Sequence, residues 1–130
     1  TERLSKIVSE ANPRWEKTKH PATRVFQAIR IFVNDELNEL RQVLEQSLEI
    51  LEVGGRLLVI TFHSLEDRIV KDFMQHYTQR SDIPSGMPLK HEQLQLRLKK
   101  ISSALRASLS EMEINPRSRS ATLRVMEKMI

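Results

Sequence analysis

The sequence predicts an α/β fold, and three observations carry that prediction. A regular apolar stripe over residues 26–51 reads as helix, and Gly54-Gly55 breaks it. Arg56-Leu57-Leu58-Val59-Ile60-Thr61-Phe62 then supplies a short unbroken run rich in branched side chains. That is the pattern of a strand buried on both faces, as in a parallel sheet, and helix, glycine pair, buried strand is the rhythm of α/β folds.

Composition bounds the rest. A length of 130 residues suits one domain or a large piece of one, and 39% hydrophobic with 29% charged residues is ordinary for a soluble globular protein and too apolar for a disordered tail. No apolar run approaches the ~18–20 residues that span a bilayer, which excludes a membrane protein by itself. The lack of Cys excludes a disulfide framework and any thiolate metal site. The three glycines, Gly54, Gly55 and Gly86, cannot be written as G-x-G-x-x-G or as a P-loop. The N-terminus has neither a starting Met nor a signal-peptide core, and reads as a chain that has lost its beginning.

Charge is distributed unevenly. Residues 1–30 carry net +4, residues 31–55 net −5 and residues 56–130 net +5, for a total of +4. Two basic segments around an acidic helix face suit a polyanion such as RNA, or simply a mildly basic protein with charged helices.

Along the chain, Leu4, Ile7, Val8 and Ala11 predict the end of an amphipathic helix over 2–11, stopped by Asn12-Pro13. A polar linker follows, in which Trp15 either stacks on a base or packs against a helix. Pro21 suits the first turn of the next helix. The stripe Phe26, Ile29, Val33, Leu37, Leu40, Leu44, Leu48, Leu51 holds one helical face for about seven turns. It reads as a long helix, or two in line with a break at Asn34-Asp35, packed on a sheet rather than as a coiled coil. Gly54-Gly55 ends it with Gly in the left-handed conformation.

After the strand at 57–62, Leu65, Ile69, Phe73 and Tyr77 mark another helix, with Ser64 at its N-cap and Asp67 closing a capping box. Residues 78–88 are a loop. Residues 89–103 are mixed, with a strand expected near 96–101. Ser108 and Glu111 predict a capping box opening a short helix through Ile114, and Pro116 makes 115–120 a loop. Ala121, Leu123 and Val125 alternate with Thr122, Arg124 and Met126, giving a final strand near 121–126 with one polar face.

Few residues offer chemistry. His20, His63, His76 and His91 form neither H-x-x-x-H nor H-E-x-x-H, so nothing supports a zinc site. His63, Glu66 and Asp67 cluster where a strand ends, and open α/β sheets bind ligands beyond the carboxyl ends of their strands. Capping accounts equally for Ser64 and Asp67, and a solvated face for Glu66 and Arg68. Thr23, Gln27 and Arg30 share one helix face, aimed at a ligand or merely wet. Asn115-Pro116-Arg117-Ser118-Arg119-Ser120 offers forked donors suited to phosphate, or an exposed loop.

Taken together, four segments carry a resemblance: residues 20–31 (His20-Pro21-Ala22-Thr23-Arg24-Val25-Phe26-Gln27 onward), Asn34-Asp35-Glu36-Leu37, Gly54-Gly55-Arg56-Leu57 running into Phe62-His63-Ser64-Leu65-Glu66-Asp67-Arg68, and Asn115 to Ala121. In this order they resemble the RsmH (MraW) methyltransferases, across nearly the whole chain and least well over 78–114. The resemblance implies an enzyme that uses S-adenosylmethionine to methylate N4 of a cytidine in the decoding centre of bacterial 16S ribosomal RNA, in the cytoplasm. It implies the C-terminal part of a Rossmann-like class I methyltransferase sheet. Residues 1–18 would end a helical insertion domain, and 19–130 would form the C-terminal half of the core, with its last three strands and an antiparallel final one. The main cofactor residues would lie in the missing N-terminal half, leaving the fragment inactive alone. His63, Ser64 and Asp67 would lie near the target base, and Arg24, Arg68, Arg117 and Arg119 would contact RNA. Partners would be the small-subunit rRNA and a second copy of the chain. The rivals are a non-catalytic RNA-binding module and a structural interaction domain using the 26–51 stripe as a dimer seam.

Overall fold

The structure, a computed structural model, describes residues 1–12, 20–78 and 96–130. The readings of Trp15, of the 79–88 loop and of the mixed segment up to residue 95 lie outside the described residues. The chain divides into two units, 1–38 and 39–130.

In the first unit, α1 (Glu2–Ala11) ends at Asn12 and α2 (Thr23–Asn34) follows a turn in which the His20 carbonyl accepts from Thr23 N–H. Pro21 sits in that turn, two residues before the helix rather than within it. The apolar stripe breaks where Asn34-Asp35 predicted. Asp35 adopts φ 52°, the left-handed cap of α2, and its carbonyl accepts from Asn38 to start α3 (Glu36–Ile50). Asn and Asp tolerate this conformation better than most residues.

In the second unit, the stripe on α3 becomes core. Leu44 and Leu48 are buried together with Val70, Phe73 and Met74 of α4 (Ser64–Thr78), Leu98 and Met126. Leu44 and Leu48 are therefore unavailable to a dimer seam, whereas Ile29 and Val33 of the same stripe are exposed. α3 stops at Ile50, and Gly54 carries its positive φ of 83° in the following turn rather than at the helix end, where Gly55 N–H bonds Glu52 O at 2.9 Å. A Cβ on Gly55 would lie 2.8 Å from that same carbonyl, so both glycines are needed for the turn.

The strands β1 (Arg56–Thr61), β2 (Leu98–Lys100) and β4 (Thr122–Lys128) run in the order β1-β4-β2, and the short β3 (Leu105–Arg106) also pairs with β4. Both β1 and β2 are antiparallel to β4. They are therefore parallel to each other with the last strand between them, and its antiparallel sense is the one the resemblance implied for a methyltransferase sheet.

The register corrects two expectations. Leu57, Val59 and Thr61 of β1 face the helices, opposite Met126, Arg124 and Thr122. The set expected to be the polar face of the last strand therefore faces the core, with Met126 fully buried. Leu58 and Ile60 face the other way, opposite Val125 and Leu123, and remain 59% and 58% exposed. β1 is thus half-covered, not buried on both faces. The helices described cover one face of an antiparallel ladder, which is enough for such a sheet. β4 ends on α3: Lys128 Nζ donates to the carbonyls of Leu48 and Leu51 at 2.6 and 2.8 Å, capping the helix C-terminus.

Candidate functional site

The carboxyl end of β1 leads directly into α4, and a capping box makes the junction. It is set one residue earlier than the sequence suggested. His63 supplies the carbonyl that accepts the first helical bond, from Asp67 N–H at 3.1 Å. Its ring Nδ1 accepts from Glu66 N–H at 3.4 Å, while Glu66 Oε2 reaches back to the N–H groups of Phe62 and His63 at 2.9 and 3.2 Å. This is the reciprocal pattern of a capping box with an imidazole in place of a hydroxyl.

With Nδ1 accepting, the neutral ring carries its proton on Nε2. That nitrogen is 3.1 Å from Glu66 Oε1 without the alignment of a hydrogen bond, and it is buried with no hydrogen-bond partner among the described residues. Ser64, released from capping, is exposed on the first turn of α4, and Arg68 is exposed one turn later.

Asp67 turns the other way. Arg124 Nε and a terminal guanidinium nitrogen donate to its two oxygens at 2.8 and 2.9 Å, and Thr61 Oγ1 donates at 3.4 Å. The forked Arg124 bond holds the Asp67 carboxyl below the usual carboxylate range, against the opposing effect of burial, and the same bond raises Arg124. Asp67 therefore ties the first turn of α4 to β1 and β4.

The second half of the site is built by α5 (Leu109–Ile114) and a single 3-10 turn. Ser108 Oγ accepts from Glu111 N–H at 3.2 Å, as its spacing predicted. The segment expected to be an irregular loop is a 3-10 helix, Pro116–Ser120. Asn115 Oδ1 accepts from Arg117 N–H, and Ser118 Oγ, buried, donates back to Asn115 O at 2.8 Å. Pro116 blocks an α-helical entry and the two side chains close a tighter one. Arg117 and Arg119 are both exposed and make no ion pair among the described residues.

An open cavity of about 580 Å³ lies between the tip of β1 and the second half, and His63, Ser64, Asp67 and Arg68 are not in its wall. Its wall includes Ile60 and Phe62 from β1 and its tip, and Glu111, Asn115, Arg117 and Ser120 from the second half. The structure thus brings Arg117 to the residue next to His63. It does not bring Arg119 into the wall, and Arg24 lies on α2 in the other unit. Sequence reasoning missed Phe62, 54% exposed, by treating it as the end of a doubly buried strand. The two-residue period puts Phe62 on the face of Leu58 and Ile60, but the sequence does not say which face is covered. A smaller groove between α3 and α4, beside Glu45, Asp72 and His76, holds no metal-ligating cluster among the described residues.

Sequence comparison supplies the family. The chain is 57% identical over 126 residues to the Ribosomal RNA small subunit methyltransferase H of Legionella pneumophila (strain Paris), covering 97% of this chain and 41% of that protein. It is 52% identical over 128 residues to the same-named protein of Marinomonas sp. (strain MWYL1), covering 98% and 41%. The protein of that name from Coxiella burnetii (strain RSA 331 / Henzerling II) is 54% identical over 129 residues, covering 99% and 42%. The chain therefore spans about two-fifths of the length of the curated relatives it matches. The family model described as MraW methylase matches residues 1–129, and the chain, with its strand-tip turn and its 115–120 segment inside that match, belongs to the MraW methylase family.

Proposed function

We propose that the protein carrying this chain transfers a methyl group from S-adenosylmethionine to N4 of a cytidine in small-subunit ribosomal RNA, in the cytoplasm. We assign residues 62–68 and 115–120 to the surface that meets the RNA. The observation that carries this reading is the family match over residues 1–129, supported by relatives named for small-subunit rRNA methylation. No described helix is long and apolar enough to cross a membrane.

The described residues do not fit a site for the cofactor itself. Gly54 and Gly55 stand before β1, bonded to Lys128 O and N at 2.8 and 2.9 Å, at the end of the sheet away from the cavity. When bound elsewhere in the whole protein, S-adenosylmethionine supplies the methyl group as a sulfonium. The residues here deal with the acceptor. The cytosine amine is a poor nucleophile because its lone pair is delocalised into the ring, so it must be unstacked, held and polarised, and one of its protons must be accepted as the new N–C bond forms. The exposed Ser64 hydroxyl is the group that hydrogen-bonds the amine, and His63, whose Nδ1 caps α4 and whose Nε2 is buried beside Glu66, fixes with Asp67 the turn that presents it near the base. Arg68, Arg117, Arg119 and Arg24 bind phosphates. Without the cofactor residues the chain alone does not turn over.

The test uses the full-length protein with Arg117→Ala and Arg119→Ala together. Filter binding to single-stranded small-subunit rRNA across a salt series is expected to show weaker binding and a log–log salt slope shallower by about 1.4, at ~0.7 per lost phosphate contact. An unchanged slope removes both arginines from the RNA footprint.

A further inference from the structure

We propose that the cavity between the tip of β1 and the 3-10 turn is a subsite for one unstacked nucleotide of single-stranded RNA, with the Phe62 ring as its stacking platform. The inference rests on the RNA reading above; it gives separate roles to Phe62, Asn115 and Ser120, which that reading places on the RNA surface without one, and it adds Glu111.

Four features select this occupant. The cavity, at about 580 Å³, falls within the ~300–1,000 Å³ of ordinary ligand pockets and is large enough for a base with its sugar. Phe62 projects from it with 54% of its surface exposed, an aromatic face with no ring partner among the described residues. An exposed phenyl ring costs free energy in water, and a nucleobase covers it without regard to sequence.

The polar wall completes the match. Asn115 spends its Oδ1 on Arg117 N–H, which leaves its amide donors for a ligand, and the Ser120 hydroxyl has no hydrogen bond among the described residues. Glu111 adds a carboxylate acceptor, and its side chain makes no ion pair among the described residues. A free inorganic anion would meet that carboxylate as a repulsion. A base edge carries amino donors that such a carboxylate accepts, beside acceptors that amide and hydroxyl groups satisfy. Arg117 on the same wall then takes the phosphate of the same nucleotide. Aromatic platform, mixed donor–acceptor wall and one arginine are the parts of a single-strand subsite rather than of a duplex-reading surface.

The experiment places Phe62→Ala, Phe62→Leu, Phe62→Tyr and Phe62→Trp in the full-length protein. It measures binding of a fluorescein-labelled single-stranded RNA oligonucleotide across a salt series, beside the Arg117→Ala, Arg119→Ala double variant. Phe62 lies outside the buried core of this chain, the melting midpoint of each full-length variant separates a fold effect from a binding effect, and Phe62→Leu guards against a packing effect of the alanine. The expected result is roughly tenfold or greater weakening for the alanine and leucine variants with the parental salt slope, and parental affinity for tyrosine and tryptophan. Parental affinity in Phe62→Ala and Phe62→Leu overturns the subsite. If the arginine double variant still weakens binding in that case, the broader RNA reading stands without it. A parent that does not bind RNA at all overturns both.

Discussion

Both carboxylate oxygens of Asp67 are engaged, and this makes the residue an anchor. Replacing it with Asn keeps the shape but strips the charge from a pair whose Arg124 partner is 13% exposed. Asp67→Asn is expected to destabilise the fold by about 2 kcal/mol, less than a fully buried pair would cost, because Asp67 keeps some contact with water. Urea unfolding near neutral pH checks it. The pH dependence follows from the depressed carboxyl. The pair contributes its full stability above the unfolded carboxylate range near ~3.9, and that contribution fades as pH falls through the lower folded value. The gap between parent and Asp67→Asn is therefore expected to close only in acid below about pH 4, and a gap that closed nearer neutrality would contradict the assignment. At this scale the sequence was half legible. It located a capping box at the strand tip but gave the cap to Ser64 and Asp67, because hydroxyls and carboxylates are the usual caps. An imidazole can do the same when its Nδ1 points at the third residue of the helix, and His63 with Glu66 takes that role.

The elements are held at their ends. Asp35 closes α2 in the left-handed region and opens α3, and its side chain accepts from Asn38 at 2.7 Å. Asp35→Ala is expected to cost about 1–2 kcal/mol, since Ala has neither the acceptor nor tolerance of a positive φ, while Asp35→Asn should cost less than half as much. Thermal melting of the two variants side by side checks this. Lys128 caps α3 from the far end of the chain, and Lys128→Met is expected to cost about 1 kcal/mol and to raise amide exchange in the last turn of α3. The Asp35 break was legible because both its causes are local: the residue type and an otherwise unbroken apolar period. The Lys128 cap was not legible, because the residues it joins are 77 and 80 positions apart. The 3-10 turn at Pro116–Ser120 fell between these cases. Pro116 ruled out an α-helix there, but the closing bonds of Asn115 and Ser118 depend on a backbone path that spacing alone does not give.

At the scale of the molecule, the sheet has one face under helices and one that carries Leu58, Ile60, Phe62 and Leu105 in the open. A contiguous apolar face of this kind favours association in water. The isolated 130-residue chain is therefore expected to self-associate in sedimentation velocity, and Leu58→Glu with Ile60→Glu to sediment as a monomer. Within the 26–51 stripe that the sequence offered as a seam, Leu44 and Leu48 are spent on the core. The α/β class and the antiparallel last strand were legible from periodicity and from the family motifs, whereas the place of β4 between β1 and β2, and the short β3, were not. Which face of β1 was covered was not, because a run of seven residues without alternation looks the same whether one or both faces are packed. The central claim is that the strand tip and the 115–120 turn together meet ribosomal RNA. Ultraviolet cross-linking of the full-length protein to small-subunit rRNA, followed by mapping of the modified peptides, tests this most directly. Adducts are expected in the peptides containing Phe62 and Arg117. Adducts confined to other segments, with both of these peptides unmodified, would contradict the account.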